Sequence, residues 1–462
     1  MLAKFKKKYI GDWDFYQKYL LLAIPMILQN AITNLVSFLD NIMVGQLGTE
    51  QMSGVAIVNQ LIFVYNLAIF GAVSAASIFG AQYFGKGNHK GHMYSFRFKL
   101  YATLLVTGGA ILLFLTKGSA LISLYLTDTV GNGATDLALQ YGLEYLAIMM
   151  VGLIPFAVNQ SYATNIKETG QTFIPMLASF VAVGTNAILD YLMIFGIGPF
   201  PELGVQGAAL ATVIARYIEA LIVVIWAHIH RGKNRYLEGA YTGFGIPLAE
   251  LKAILIKGFP LMMNEVLWAA GMTTVTQCYS VRGLDVVAGL NIASTITNLF
   301  NIVYLQLGSC ISIVVGQYLG AGKLEDAKDA DNKMIVFSVF CCVIMAALMF
   351  VVGGFFPGIY NTTEEIRELA TSFIAVSAII MPFCAFSHAS YFTLRSGGKT
   401  VVTFLFDSVF TWVIVVPAAY LLAHFTGLGI VGIYFLVQGT ELIKVIIGYL
   451  MVKSNVWVVQ MV

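Results

Sequence analysis

Among the carboxylates inside long apolar stretches of this chain, four draw attention first: Asp40, Asp190, Glu265 and Asp407. An acid at bilayer depth is costly, and one retained there usually binds an ion, carries a proton or recognises a cation. Asn186 precedes Asp190 by four residues. On a helix that spacing puts both side chains on one face. Asn159 and Thr212 offer further oxygens in neighbouring stretches. Asp40, Asn159, Asn186, Asp190 and Thr212 therefore make up a candidate ion-coupling cluster. Two carboxylates crowded in a low dielectric cannot both stay charged, so the pair takes up a proton or captures a cation. The ion is then H+ or Na+, with Asp40 and Asp190 as the Na+ ligands in the second case. Glu265 is a candidate contact for a cationic substrate, or a second coupling site. Asp407 shares that candidacy, although its place early in a helix also lets the helix dipole stabilise it. Pro25 and Pro260, inside the helices of Asp40 and Glu265, each remove a backbone hydrogen bond and permit a hinge.

The elements that hold these residues follow from composition. Of 462 residues, 58% are hydrophobic and only 11% are charged. So few charges do not cover a water-exposed surface, which excludes a soluble enzyme, a nucleic-acid binder and a disordered chain. The surface must be solvated by lipid. Twelve apolar helices are predicted, over 16–44, 52–80, 96–117, 137–162, 172–196, 205–229, 250–279, 286–316, 333–356, 366–392, 401–424 and 428–452. The fold class is all-α and polytopic. With a cytoplasmic N-terminus, 21 of the 26 Lys and Arg fall on the cytoplasmic side. They include Lys4, Lys6, Lys7, Lys8, Lys86, Lys90, Arg231, Lys233 and Lys323. Such a bias is what the positive-inside rule predicts for a correct span count, and it puts both termini in the cytoplasm. The basic N-terminal segment leads to no short apolar run with a small-residue cleavage site, so no signal peptide is expected to be removed.

The chain repeats itself. A shift of 235 residues brings Pro25 onto Pro260, Gly48 onto Gly283 and Gln82-Tyr83-Phe84-Gly85-Lys86-Gly87 onto Gln317-Tyr318-Leu319-Gly320-Ala321-Gly322. With a drifting offset, Gly170-Gln171-Thr172 meets Gly398-Lys399-Thr400, and Gly204 and Gly207 meet Gly429 and Gly432. Spans 1–6 thus recur as 7–12, giving an N-lobe at 1–229, a cytoplasmic linker at 230–249 and a C-lobe at 250–462. Six spans is an even number, so the halves share one orientation. Parallel repeats of this kind are built to alternate around a site between them.

Other polar residues have plainer readings. Arg216 and Glu219 are three apart, as are Glu441 and Lys444 in the second half with the charges reversed. That spacing predicts a pair within each helix. His388, deep in span 10, reads as a packed histidine. The cysteines Cys278, Cys310, Cys341, Cys342 and Cys384 are odd in number and form no C-x-x-C, which argues against disulfides and zinc.

The run Asp40-Asn41-Ile42-Met43-Val44-Gly45-Gln46-Leu47-Gly48 at the end of span 1 resembles the signature of the multidrug and toxic compound extrusion (MATE) family. The prolines of spans 1 and 7, the G-x-G loops after spans 2 and 8, and the run from Gly204 to Thr212 are similar to that family as well. The resemblance covers essentially the whole chain. It implies two six-helix bundles arranged as a V around a central cavity. It also implies export of organic cations and drugs in exchange for Na+ or H+, with Asp40, Asn159, Asn186, Asp190 and Thr212 at the family's N-lobe coupling positions. The chain departs from NorM-type members in two places. Glu265 lies only five residues after Pro260, and span 10 carries His388 in place of a mid-span carboxylate.

The expectation is a cation-coupled multidrug antiporter of the cell membrane, working by alternating access. It needs no cofactor beyond the transported ion, meets membrane lipid and small organic cations, does not bind nucleic acid, and acts as a monomer. Two other functions fit less well. A flippase for lipid-linked precursors would want a more basic centre than Arg216 and Lys444 supply. A polytopic membrane enzyme would want catalytic motifs such as H-E-x-x-H or G-x-S-x-G, and the sequence has none.

Overall fold

A computed structural model describes residues 9–126 and 134–462, with the side chains of 36–38 and 134 left out. The basic residues Lys4, Lys6, Lys7 and Lys8 lie outside the described residues. Among those described, every regular element is helical and no strand occurs. Eleven helices are long and apolar enough to cross a membrane: Trp13–Gly45, Thr49–Lys86, His89–Ser123, Phe173–Ile194, Gly204–Ile229, Leu248–Ser280, Leu284–Gly320, Leu324–Ile359, Glu364–Ser396, Thr400–Phe425 and Ile430–Lys453. A twelfth crossing is a bent pair, Thr135–Val151 and Leu153–Glu168, which meet at 44°. In chain order these are spans 1 to 12, the bent pair being span 4. Large apolar side chains such as Leu105, Leu115, Ile256 and Val413 stand exposed along them. A lipid solvent allows that, and water does not.

Breaks in the spans have local causes. Span 4 bends at Gly152, between its two helices. Span 11 widens into π-helical turns at Leu405–Val409 and Thr411–Val415. The second of these runs into Pro417, whose missing N–H frees the carbonyl one turn back. Pro25 and Pro260 lie inside continuous helices.

The contacts sort the chain into two units. One holds Leu28–Gly80 and His89–Lys252; the other holds Met1–Ile27, Ala81–Asn88 and Ala253–Val462. Each unit is thus largely one repeat, but the second also takes the start of span 1 and the end of span 2. The boundary in span 1, at Ile27, falls just past Pro25.

The first unit is cored by Val58, Ile69, Ile122, Leu146, Leu153, Ile194 and Ala209. At one end of that unit, Tyr236 and Leu237 of the segment after span 6 pack with Met93, Phe96 and Ile166. Burial pushes the Tyr236 phenol well above its ordinary pKa, so it stays neutral at any physiological pH. Arg97 ties down the same segment, donating to the carbonyls of Ala240, Gly239 and Gly245. Beneath it, Lys99 is fully buried and donates to Glu168 at 2.5 Å and to Asn165.

In the second unit the repeated glycine loops meet. A Cβ on Gly85 would strike the Gln317 carbonyl, and a Cβ on Gly320 would strike the Gln82 carbonyl. These four residues are repeat mates, so spans 2 and 8 cross backbone to backbone in a reciprocal contact. Gln82 also donates to the Ser396 carbonyl at 2.9 Å and accepts from the Met461 amide at 2.8 Å, which pins the chain's last residues over the crossing.

Candidate functional site

Span 1 carries Asp40, span 5 carries Asn186 and Asp190, and span 6 carries Thr212, all in the first unit. The helical period of span 5 buries Asn186 and Asp190 on one face together with Ser179 and Ala182. Span 6 can approach closely because Gly207, Ala208, Ala209 and Ala211 are small and buried; a Cβ on Gly207 would stand 2.6 Å from the Met193 carbonyl oxygen of span 5. That close packing lets short polar side chains meet.

The carboxyls of Asp40 and Asp190 come within hydrogen-bonding reach of each other. Asp190 is only 1% exposed. Asn186 sits beside it and donates through Nδ2 to Thr212 Oγ1 at 3.4 Å. Both Asp190 oxygens and Asp40 Oδ1 remain buried without a well-aligned donor. Carboxylates only accept hydrogen bonds. Two that touch with no donor between them are stable together only with a shared proton or an intervening cation. The oxygens of Asp40, Asp190 and Thr212 are hard ligands of the kind that suits Na+, and the same geometry suits a proton. Tyr145 of span 4 lies close enough to feel both acids, and its hydroxyl donates to Asn59 Oδ1 at 3.3 Å. Neither residue stood out in the sequence, because a tyrosine and an asparagine in apolar runs carry no signal of their own.

Asn159 is placed differently. Its side chain lies beside Glu219 of span 6, and its Oδ1 is buried without a donor.

The pairs predicted within single helices do not form. Arg216 reaches to the Gly152 carbonyl at the bend in span 4, at 3.4 Å, and it stacks over Phe156 at 5.1 Å. Glu219 accepts from Ser179 of span 5. Lys444 of span 12 pairs with Asp407 of span 11 at 2.7 Å instead of with Glu441. In each case the partner lies on a neighbouring helix and not three residues away on the same one.

In the second unit Asp407 also accepts from Asn264 Nδ2 at 3.0 Å. Asn264 Oδ1 in turn accepts from the Ser408 amide at 3.2 Å, inside the first π-helical turn. Glu265 is half-buried, and Arg395 and Asp407 act on it through space. His388 packs against Tyr304, with ring centroids 4.6 Å apart, and its Nδ1 donates to the Cys384 carbonyl at 2.9 Å. The structure keeps Asp407 and Glu265 in one unit and the Asp40–Asp190 pair in the other.

Twelve apolar spans built on an internal repeat, with a buried acid pair among them, are the architecture of a polytopic membrane transporter. The profile of the MatE family matches residues 25–192 and again 260–421, once in each repeat. The chain belongs to that family of membrane transporters and is not an enzyme. It is 24% identical over 413 residues to "Probable multidrug resistance protein NorM" of Thermotoga maritima, covering 89% of this chain and 86% of that one. A NorM protein of the same description from Halalkalibacterium halodurans is also 24% identical over 413 residues, with 89% and 88% covered. Among solved structures, a multidrug resistance MATE family transporter in an outward-facing conformation superposes with a TM-score of 0.85 at 20% identity, over 96% of each chain. A MOP superfamily transporter from Pyrococcus furiosus gives the same TM-score and identity over 96% of each chain. At that identity the structures speak for the fold.

Proposed function

We propose that this protein is a multidrug efflux antiporter of the plasma membrane, with both termini in the cytoplasm, that exports organic cations in exchange for H+ or Na+. The observation that supports the reading is the buried contact of Asp40 with Asp190, three of whose four oxygens have no hydrogen-bond donor. From an outward-open state the ion enters at this pair and neutralises it. Span 1 then relaxes about Pro25, close to where the chain passes from one contact unit to the other. Cargo leaves, the repeats alternate, and the ion escapes inward. Asn186 and Thr212 hold the pair in place, and Asn159 contributes from the adjoining polar pocket. Pro260 plays the hinge role in span 7, and Glu265 and Asp407 face cationic cargo or a second ion in the other repeat. Coupling requires that ion and cargo differ in their affinity for the two states. The NorM relatives, described as multidrug resistance proteins, support the choice of cargo.

The test is ethidium efflux from proteoliposomes under separately imposed Na+ and proton gradients. Wild type responds to one gradient, and Asp40→Asn responds to neither. Full gradient-driven efflux by Asp40→Asn overturns the reading.

A further inference from the structure

The two units build the same three-helix junction with opposite chemistry. The offset that puts Pro25 on Pro260 puts Gln29 on Asn264; the offset of Gly170 on Gly398 puts Ser179 on Asp407; the offset of Gly204 on Gly429 puts Glu219 on Lys444. All three matches are visible as contacts. In the second unit the Asn264 amide donates to Asp407 at 3.0 Å and the Lys444 ammonium donates to Asp407 at 2.7 Å. In the first unit the Gln29 amide donates to Ser179 Oγ at 2.7 Å, and Ser179 donates to Glu219. One junction thus contains an ammonium and its counterion. Among the described residues its repeat mate contains a carboxylate that makes no ion pair.

Glu219 takes hydrogen bonds from Ser179 and Asn159, yet two amide oxygens of the first-unit junction find no donor. Gln29 Oε1 and Asn159 Oδ1 are buried with no hydrogen-bond partner, and Asn159, beside Glu219, is only 3% exposed. Among the described residues Glu219 forms no ion pair. Lys167 and Arg216 act on it through space, and Arg216 is turned toward the Gly152 carbonyl. Orphaned buried acceptors beside a carboxylate are costly until a donor arrives. An ammonium group brings three donors and one positive charge, against one carboxylate and two amide oxygens.

The geometry points to the Gln29–Ser179–Asn159–Glu219 junction as a binding site for the protonated primary amine of a cargo molecule, seated where the repeat mate holds the Lys444 ammonium. This rests on the reading that cargo is cationic, and it assigns the cargo's amine to a junction separate from the Asp40–Asp190 contact. Glu219 is half-buried, so the junction is not sealed.

The test uses purified full-length protein and two probes, 4-phenylbutylammonium and its N,N,N-trimethyl analogue, which has the charge but no N–H donor. Wild type binds the primary amine more tightly. Glu219→Gln weakens primary-amine binding by about tenfold or more, the size of one charge-assisted hydrogen bond, and removes the preference. The double variant Ser179→Asp with Glu219→Lys rebuilds the pair found in the other unit; it melts close to wild type and no longer binds the primary amine. Wild-type amine affinity in either variant overturns the assignment. A Glu219→Gln protein that keeps amine binding but loses a Na+-induced or proton-linked response overturns it too, making the junction an inorganic-ion site. Asp40→Asn separates this from the antiport reading. If Asp40→Asn exchanges normally while Glu219→Gln loses the amine, the coupling role falls and the amine site stands.

Discussion

At the scale of single residues, an acid inside a lipid-facing chain must find a partner, and the protein resolves that need in two ways. Asp407 has a resident partner in Lys444. Asp40 and Asp190 have only each other and the polar side chains around them. The first arrangement carries its own countercharge, and the second leaves room for a mobile ion. Lys444→Met therefore leaves Asp407 buried and uncompensated, and we expect it to cost about 3–5 kcal/mol of stability. Lys444→Met combined with Asp407→Asn recovers most of that loss. Thermal unfolding in detergent reads both variants; a single variant as stable as wild type contradicts the assignment. The candidate acids and the Asn186–Asp190 face were legible in the sequence, because apolar context marks a costly charge and helical period marks a shared face. The partners of Arg216, Glu219 and Lys444 were not. Pairing three residues apart can be read along one helix, but partners on neighbouring helices become visible only with packing.

At the scale of helices, irregular backbone and buried amides join the spans. Asn264 links span 7 to span 11, donating to Asp407 and accepting from both the amide and the hydroxyl of Ser408 within a π-helical turn. Asn264→Ala strands the Ser408 amide and half of the support for Asp407. The expected loss is about 2–4 kcal/mol, from two buried groups left unpaired. Hydrogen exchange rising selectively in 405–409 is the confirming signature; unchanged exchange there contradicts the link. The spans themselves could be read from apolar length, and Pro25, Pro260 and the glycine loops from residue type. The bend at Gly152 and the π turns of span 11 could not, since one glycine or proline in an apolar run does not say how neighbouring backbone will compensate.

For the molecule as a whole, duplication is the organising fact. The sequence offset makes Gly85 and Gly320 repeat mates, and the structure adds that they cross, each glycine admitting the other repeat's backbone. Gly320→Ala and Gly85→Ala should therefore each cost about 1–3 kcal/mol, as overpacked sites do, and to a similar extent. A marked asymmetry between them in thermal unfolding would show that the crossing is not reciprocal. The offset could not foretell that the start of span 1 and the end of span 2 would join the contacts of the opposite repeat, because repeat boundaries record ancestry and contacts record packing.

The central claim is exchange: cargo and ion compete through the Asp40–Asp190 pair. It is tested most directly by adding ethidium to purified protein in weakly buffered detergent and measuring released protons, with released radioactive Na+ followed in parallel. The account predicts release of one of the two ions on ethidium binding in wild type, and none in Asp40→Asn or Asp190→Asn. Equal release from wild type and both variants, or none from wild type, would contradict it.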